Sequence, residues 1–139
     1  QSVLRWAMDT FNIKKFKKIM KGLDWAKFYD EYHEKVLDIK EMEKQIIDLI
    51  GDDEIQKQQG IIPYVLTGDE HYLDLRAFPD KIKLAVWEKQ NHKCAICGKE
   101  FDYQFMEGDH ITPWRDGGRT EVKNCQMLCK ECNRRKGSK

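Results

Sequence analysis

The chain has 139 residues, 40% of them hydrophobic and 35% charged, with a net charge of +1. That length suits one ordinary domain, or a small domain with an appended helical segment. No apolar run approaches the roughly 18 residues that cross a bilayer, and no secretory signal is visible, so the composition speaks for a soluble protein.

The chain opens on Gln rather than Met, and reads as a piece of something longer from which domains are missing. Its charge is uneven. Residues 1–79 carry a net −3 and residues 80–139 a net +4, which puts the half suited to a polyanion at the C-terminal end. Four of the five cysteines form two Cys-x-x-Cys pairs, the pattern of thiolate metal ligands in a reducing, cytoplasmic compartment. A secreted disulfide protein is the rival reading.

In chain order, residues 2–21 read as a helix that Gly22 ends. Asp24 is a candidate N-cap for a second, long helix. In it Trp25, Tyr29, Tyr32, Val36, Ile39, Ile46 and Ile50 line up as a seam, either plain core or a contact for a second copy or a helical partner. Lys14, Lys15, Lys17 and Lys18 read as a solvated helix face rather than as phosphate contacts. Gly51-Asp52-Asp53 stops the helix. Residues 61–66, interrupted by Pro63, read as an edge strand or irregular segment. Asp80 is expected to cap a helix of about twelve residues that carries Ile82, Val86 and Trp87 on one side.

The stretch 94–136 organises the rest. Cys94, Cys97, Cys129 and Cys132 are spaced for two tight knuckles around one tetrahedral, coordinatively closed and therefore structural zinc ion. A redox Cys-x-x-Cys or chance cysteines are the alternatives that a single pair would leave open. The 31 residues between Cys97 and Cys129 exceed a zinc-ribbon spacing, so the insert should fold as a unit held at its base. Cys125 reads as a small buried strand residue.

Within the insert, residues 105–111 can form a strand, 114–120 a loop with Gly117-Gly118, 122–128 a returning strand, and 130–136 a short helix. That ββα order would place Asp109 at a strand end opposite Asn133 on the helix. Both offer oxygen, which suits Mg2+ or Mn2+ rather than zinc. His110 would point to the other side of its strand, where an imidazole can take a proton from a water. A structural histidine is the bland alternative for His110. His33, His71 and His92 read as surface or structural.

These residues resemble the HNH, or ββα-metal, endonucleases over about residues 94–136. The resemblance rests on Asp109-His110-Ile111-x-Pro113, Gly117-Gly118, Asn124-x-Gln126-x-Leu128-Cys129 and Cys132-Asn133-x-x-Lys136. It implies that His110 is the general base, that Asn124 buttresses the loop and orients the histidine, and that Asp109 and Asn133 hold the catalytic cation. Asn133 stands where the family name expects a histidine, a variant also found in the HNH domains of CRISPR effector nucleases. Arg115, Arg119, Arg134, Arg135 and Lys136 are candidates for phosphate contacts, and Trp114 for a groove wedge or a cap on the small core. Upstream, Tyr64-Val65-Leu66-Thr67-Gly68-Asp69-Glu70 and Leu75-Arg76-Ala77-Phe78 resemble the lead-in to the HNH domain of larger bacterial restriction and phage-defence proteins with a ParB/sulfiredoxin-like N-terminal domain.

The sequence thus points to an α+β chain. A helical linker or partner-docking region, 1–79, precedes a zinc-stapled HNH nuclease domain, 80–139, that would cut DNA in a bacterial or phage cytoplasm. The competing readings are a non-catalytic zinc-ribbon DNA-binding module and a protein-interaction adaptor that uses the long helix.

Overall fold

The computed structural model describes residues 2–137. They fall into two compact units, divided between Leu75 and Arg76.

The first unit is helical. Ser2 caps α1 (Val3–Thr10), its Oγ accepting the Arg5 N–H at 3.1 Å. Asn12 caps α2 (Ile13–Met20), its Oδ1 accepting the N–H groups of Lys14 and Lys15 at 3.0 and 3.3 Å. The single helix expected over 2–21 is therefore two. Phe11 is extended at the junction (φ −118°, ψ 135°), and the Asn12 side chain offers the next backbone N–H groups a partner outside the helix ladder.

A left-handed Gly22 (φ +76°) turns the chain into α3 (Trp25–Tyr32), capped by Asp24. The long helix expected after Asp24 stops here. Asp38 caps a separate α4 (Ile39–Ile50) by accepting the Glu41 N–H at 3.1 Å. The expected seam is split accordingly. Trp25, Tyr29, Tyr32 and Leu37 pack on Trp6, Ala7 and Phe28, whereas Val36, in the connection, is fully exposed.

Residues 61–66, expected as strand or irregular, lie in α5 (Ile61–Thr67). Pro63 sits in its first turn, where the missing N–H has no intrahelical partner to lose. Ile46, Ile61, Ile62 and Leu73 are completely buried. Gly60, in a 3-10 turn before α5, lies so close to the Tyr72 carbonyl that a Cβ would approach its oxygen to 1.7 Å.

The second unit is the α+β part. The helix expected after Asp80 is α6 (Asp80–Lys89), ten residues long. Pro79, not Asp80, is its N-cap residue. The Asp80 carboxylate instead accepts the Tyr103 hydroxyl at 2.6 Å and pairs with Lys83 at 3.5 Å. Strands β1 (Met106–His110) and β2 (Cys125–Cys129) run antiparallel, with Met106 opposite Cys129 and His110 opposite Cys125. Helix α7 (Lys130–Gly137) follows without a linker. The expected returning strand starts later than 122, because residues 122–124 form a 3-10 turn. The core lies between α6 and the sheet, where Phe78, Val86, Met106, Met127 and Leu128 are buried with Ile82 and Trp87 against them. No described helix is long and apolar enough to cross a membrane.

Candidate metal centre and nuclease site

Two knuckles meet at the base of the second unit. The sulfurs of Cys94, Cys97, Cys129 and Cys132 all lie within 4.8 Å of one another, with Cys97 and Cys129 at 4.0 Å. Ligands at about 2.3 Å around a tetrahedral zinc would sit about 3.8 Å apart, so the cluster fits a four-thiolate ion. The backbone shapes each knuckle. The Ile96 N–H reaches Cys94 Sγ and the Cys132 N–H reaches Cys129 Sγ, both at 3.4 Å, and Gly98 takes the left-handed turn (φ +74°) that closes the first.

The sulfurs are electrostatically unequal. Burial works against a Cys94 thiolate, but hydrogen bonds from surrounding N–H and S–H groups outweigh it and bring its pKa down to about 6. Cys132 is pushed up to about 12, first by its hydrogen bond with Cys129 and then by burial. Cys125 faces elsewhere as a buried strand residue, and burial, with Asp109 nearby, raises it to about 11.

Above this base, neighbours on β1 serve two faces. Asp109 faces α7. Its Oδ2 accepts Gln126 Nε2 at 2.9 Å and the Lys136 ammonium, which also donates to the His110 carbonyl at 3.0 Å. Asn133, on α7, donates its Nδ2 to Glu107 Oε1 at 3.1 Å. Glu107 and Asp109 lie two apart on the strand and so share its face. Asp109 and Asn133 thus lie on the same side of the strand pair, each held by a neighbouring side chain.

His110 is on the other face. Its Nε2 lies 3.0 Å from Thr120 Oγ1, and its ring leans on Phe78 with centroids 4.2 Å apart. Thr120 in turn donates to the Arg76 carbonyl at 3.4 Å.

Asn124 ties the loop that follows His110. Its Oδ1 accepts the Thr112 N–H at 2.8 Å, and its Nδ2 donates to the carbonyls of Thr112 and Arg119 at 3.0 and 2.9 Å. Gly118 fits beneath. A Cβ there would lie 1.7 Å from the Thr112 oxygen and 2.9 Å from Asn124 Nδ2.

The basic candidates divide. Arg115 and Arg119 are exposed on the loop and Arg134 on α7. Arg135 is also exposed but pairs with Glu131 at 2.5 Å. Lys136 is drawn into the site by Asp109. Trp114 is half-buried in a 3-10 turn. His92 stacks on Trp87 and bonds Glu88 at 3.0 Å.

Sequence reasoning gave no role to Glu107, Thr120, Phe78 or Gln90. Gln90 clamps α6 to β2, its amide exchanging two hydrogen bonds with the Met127 backbone at 2.9 Å each. The partners of these four residues lie far along the chain, and no local pattern marks them. Gln126 was legible as part of a motif but not as the support of Asp109.

The model of the HNH endonuclease family matches residues 94–139. The CRISPR-associated endonuclease Cas9 of Corynebacterium diphtheriae (strain ATCC 700971 / NCTC 13129 / Biotype gravis) is 36% identical over 52 residues, which make up 37% of this chain and 5% of that protein. The chain thus spans only a small fraction of that relative's length. No solved structure matches. The residues that the HNH endonuclease family model matches carry the four-cysteine base, the antiparallel strand pair and α7.

Proposed function

We propose that the second unit is a metal-dependent DNA endonuclease that hydrolyses phosphodiester bonds, with Cys94, Cys97, Cys129 and Cys132 holding a structural zinc ion. The observation that carries the reading is the opposite facing of Asp109 and His110 on one strand, with Asn133 on the Asp109 side. Asp109 and Asn133 would hold Mg2+ or Mn2+, and this cation, when bound, stabilises charge on the phosphoryl group and on the leaving oxygen. Gln126 holds the Asp109 carboxylate in place, and Glu107 does the same for the Asn133 amide.

His110 acts as general base. The Thr120 hydroxyl donates its hydrogen bond to the Arg76 carbonyl, so its oxygen accepts from Nε2–H of the imidazole. That tautomer puts the lone pair on Nδ1, which takes the proton from the attacking water. Asn124 keeps the 111–120 loop closed against the strand ends. Arg115, Arg119 and Arg134 would contact phosphates. Restriction or phage defence in a bacterial or phage cytoplasm, within a larger protein or complex, is the setting that the sequence resemblance favours.

The test is cleavage of supercoiled plasmid with Mg2+ or Mn2+, wild type beside His110→Ala, with bound zinc quantified in both. Loss of cleavage by 10²-fold or more, with zinc content and melting unchanged, is expected. Undiminished cleavage by the variant would refute His110 as the base. DNA binding without cleavage by either protein would favour the zinc-ribbon module.

A further inference from the structure

The first unit has a net negative charge, yet it carries a concentrated positive surface. Two clefts, of about 460 and 480 Å3, adjoin through a shared residue, Gln59. Lys21, Lys27 and Lys57 line one, and Lys15 and Lys18 the other. Lys15 and Lys18 belong to α2, Lys21 follows it, Lys27 is in α3 and Lys57 precedes α5, and all are exposed.

Favourable placement at the C-terminal end of α2 accounts for Lys18 and for Lys21, its C-cap. It does not account for Lys27, within α3, or Lys57, on another segment. Asp24 is the one carboxylate lining either cleft among the described residues, and it is engaged in capping α3. Lys15 pairs with Glu43 at 2.6 Å. Among the described residues no ion pair engages Lys21 or Lys57, and Lys27 reaches a hydroxyl, Tyr72 Oη, at 3.4 Å.

Between the lysines stand amides, Gln58 and Gln59, with Gln56 beside them. Ammonium groups interleaved with amide and phenol groups are what phosphate and sugar oxygens accept hydrogen bonds from. The floor of the Lys57 side is fixed, because the Lys57 N–H donates to the Leu73 carbonyl at 3.1 Å and Gly60 is pressed against Tyr72. The backbone that carries Lys57 and the amides is therefore held in place beneath the exposed ammonium groups.

We infer that the lysine clefts of the first unit grip the phosphodiester backbone of duplex DNA without reading its sequence, as a second nucleic-acid contact apart from the HNH segment. The choice of DNA among polyanions rests on the nuclease reading of the second unit. Binding of this kind releases counterions, so each phosphate contact adds to the salt dependence of affinity.

The test compares the full chain with two charge-matched triple variants, in the absence of added divalent metal. One is Lys21→Gln/Lys27→Gln/Lys57→Gln. The other is Lys35→Gln/Lys40→Gln/Lys44→Gln, exposed lysines outside both clefts. Affinity for a labelled duplex is measured against salt, with melting curves to verify folding. The cleft variant is expected to lose at least tenfold in affinity at moderate salt, and its log–log salt slope to shrink by about 2–3. The control should stay within threefold of wild type.

Equal binding by the two triple variants would overturn the inference, even if the wild type cuts plasmid. Selective loss in the cleft variant supports it, even if the wild type proves unable to cut. The two readings therefore fail separately.

Discussion

Asn124 and Gly118 act as one device. The amide spans the loop by three hydrogen bonds, and the glycine leaves it the room to do so. Asn124→Ala removes partners from part-buried backbone groups, and a cost of about 1–3 kcal/mol is expected, read as a lower urea midpoint with plasmid cleavage reduced in parallel. Gly118→Ala should cost about 3 kcal/mol or more, the upper end for overpacking, because the obstructing atom is a backbone oxygen that cannot swing aside. A melt unchanged by Gly118→Ala would mean that the loop is not held as closely as the structure shows. The roles of these two residues were half legible. The Gly-Gly pair and Asn124 stand out as motif residues, but the contact between them joins Thr112, Gly118 and Asn124 across the loop, and no spacing rule reports it. Thr120 was still less legible, since threonine in a loop is commonplace until His110 Nε2 is found beside it.

Among the elements, capping side chains decided what hydrophobic spacing could not. The apolar stripe from Trp25 to Ile50 is compatible with one helix, and Asp38 cuts it in two by capping the second half. The same competition separates α1 from α2 at Asn12. Conversely Pro63, which argued against a helix at 61–66, stands at the one end of a helix where proline costs nothing. The start of α6 is pinned differently, by Asp80 against Tyr103. The Tyr103 hydrogen bond and the neighbouring Lys83 hold the Asp80 carboxyl below its usual range. Burial, then Asp80, pushes the Tyr103 hydroxyl up to about 12. The contact therefore contributes stability between the two ionisations. The Asp80 part is present above the ordinary carboxylate pKa and is lost as pH falls through its lowered value. The Tyr103 part is complete below about 10, the ordinary phenol value, and is lost as pH rises through about 12. Tyr103→Phe should flatten the acid limb of the stability–pH curve, and a tyrosinate absorbance titration should show one residue ionising late.

Across the whole molecule, the two units differ in what sustains them. The first has fully buried Ile46, Ile61, Ile62 and Leu73. The second has a core that rests on a four-cysteine base. Structural zinc in small modules is worth about 10–16 kcal/mol of apparent binding energy, most of it expressed as folding. A strong chelator should therefore strip hydrogen-exchange protection from β1, β2 and α7 while the amides of α4 and α5 stay protected. Uniform loss, or none, would contradict this. The C-terminal ββα order and the cysteine base were readable from the sequence because local spacing encodes them. The lysine clefts were not. Net charge over residues 1–79 is negative, and the lysines meet only when three separated segments fold together.

The knuckles hold both ends of the intervening 31 residues, and that has a bearing on how such chains can diverge. Closing a loop costs entropy that rises only with the logarithm of its length, about 0.6 kcal/mol for each doubling. Once the ends are fastened, added residues at an exposed turn such as 114–116 weigh little, whereas one methyl group at Gly118 weighs much. Descendants of this chain can be expected to vary widely in the number of residues between the cysteine pairs and hardly at all in the size of the side chain beneath Asn124.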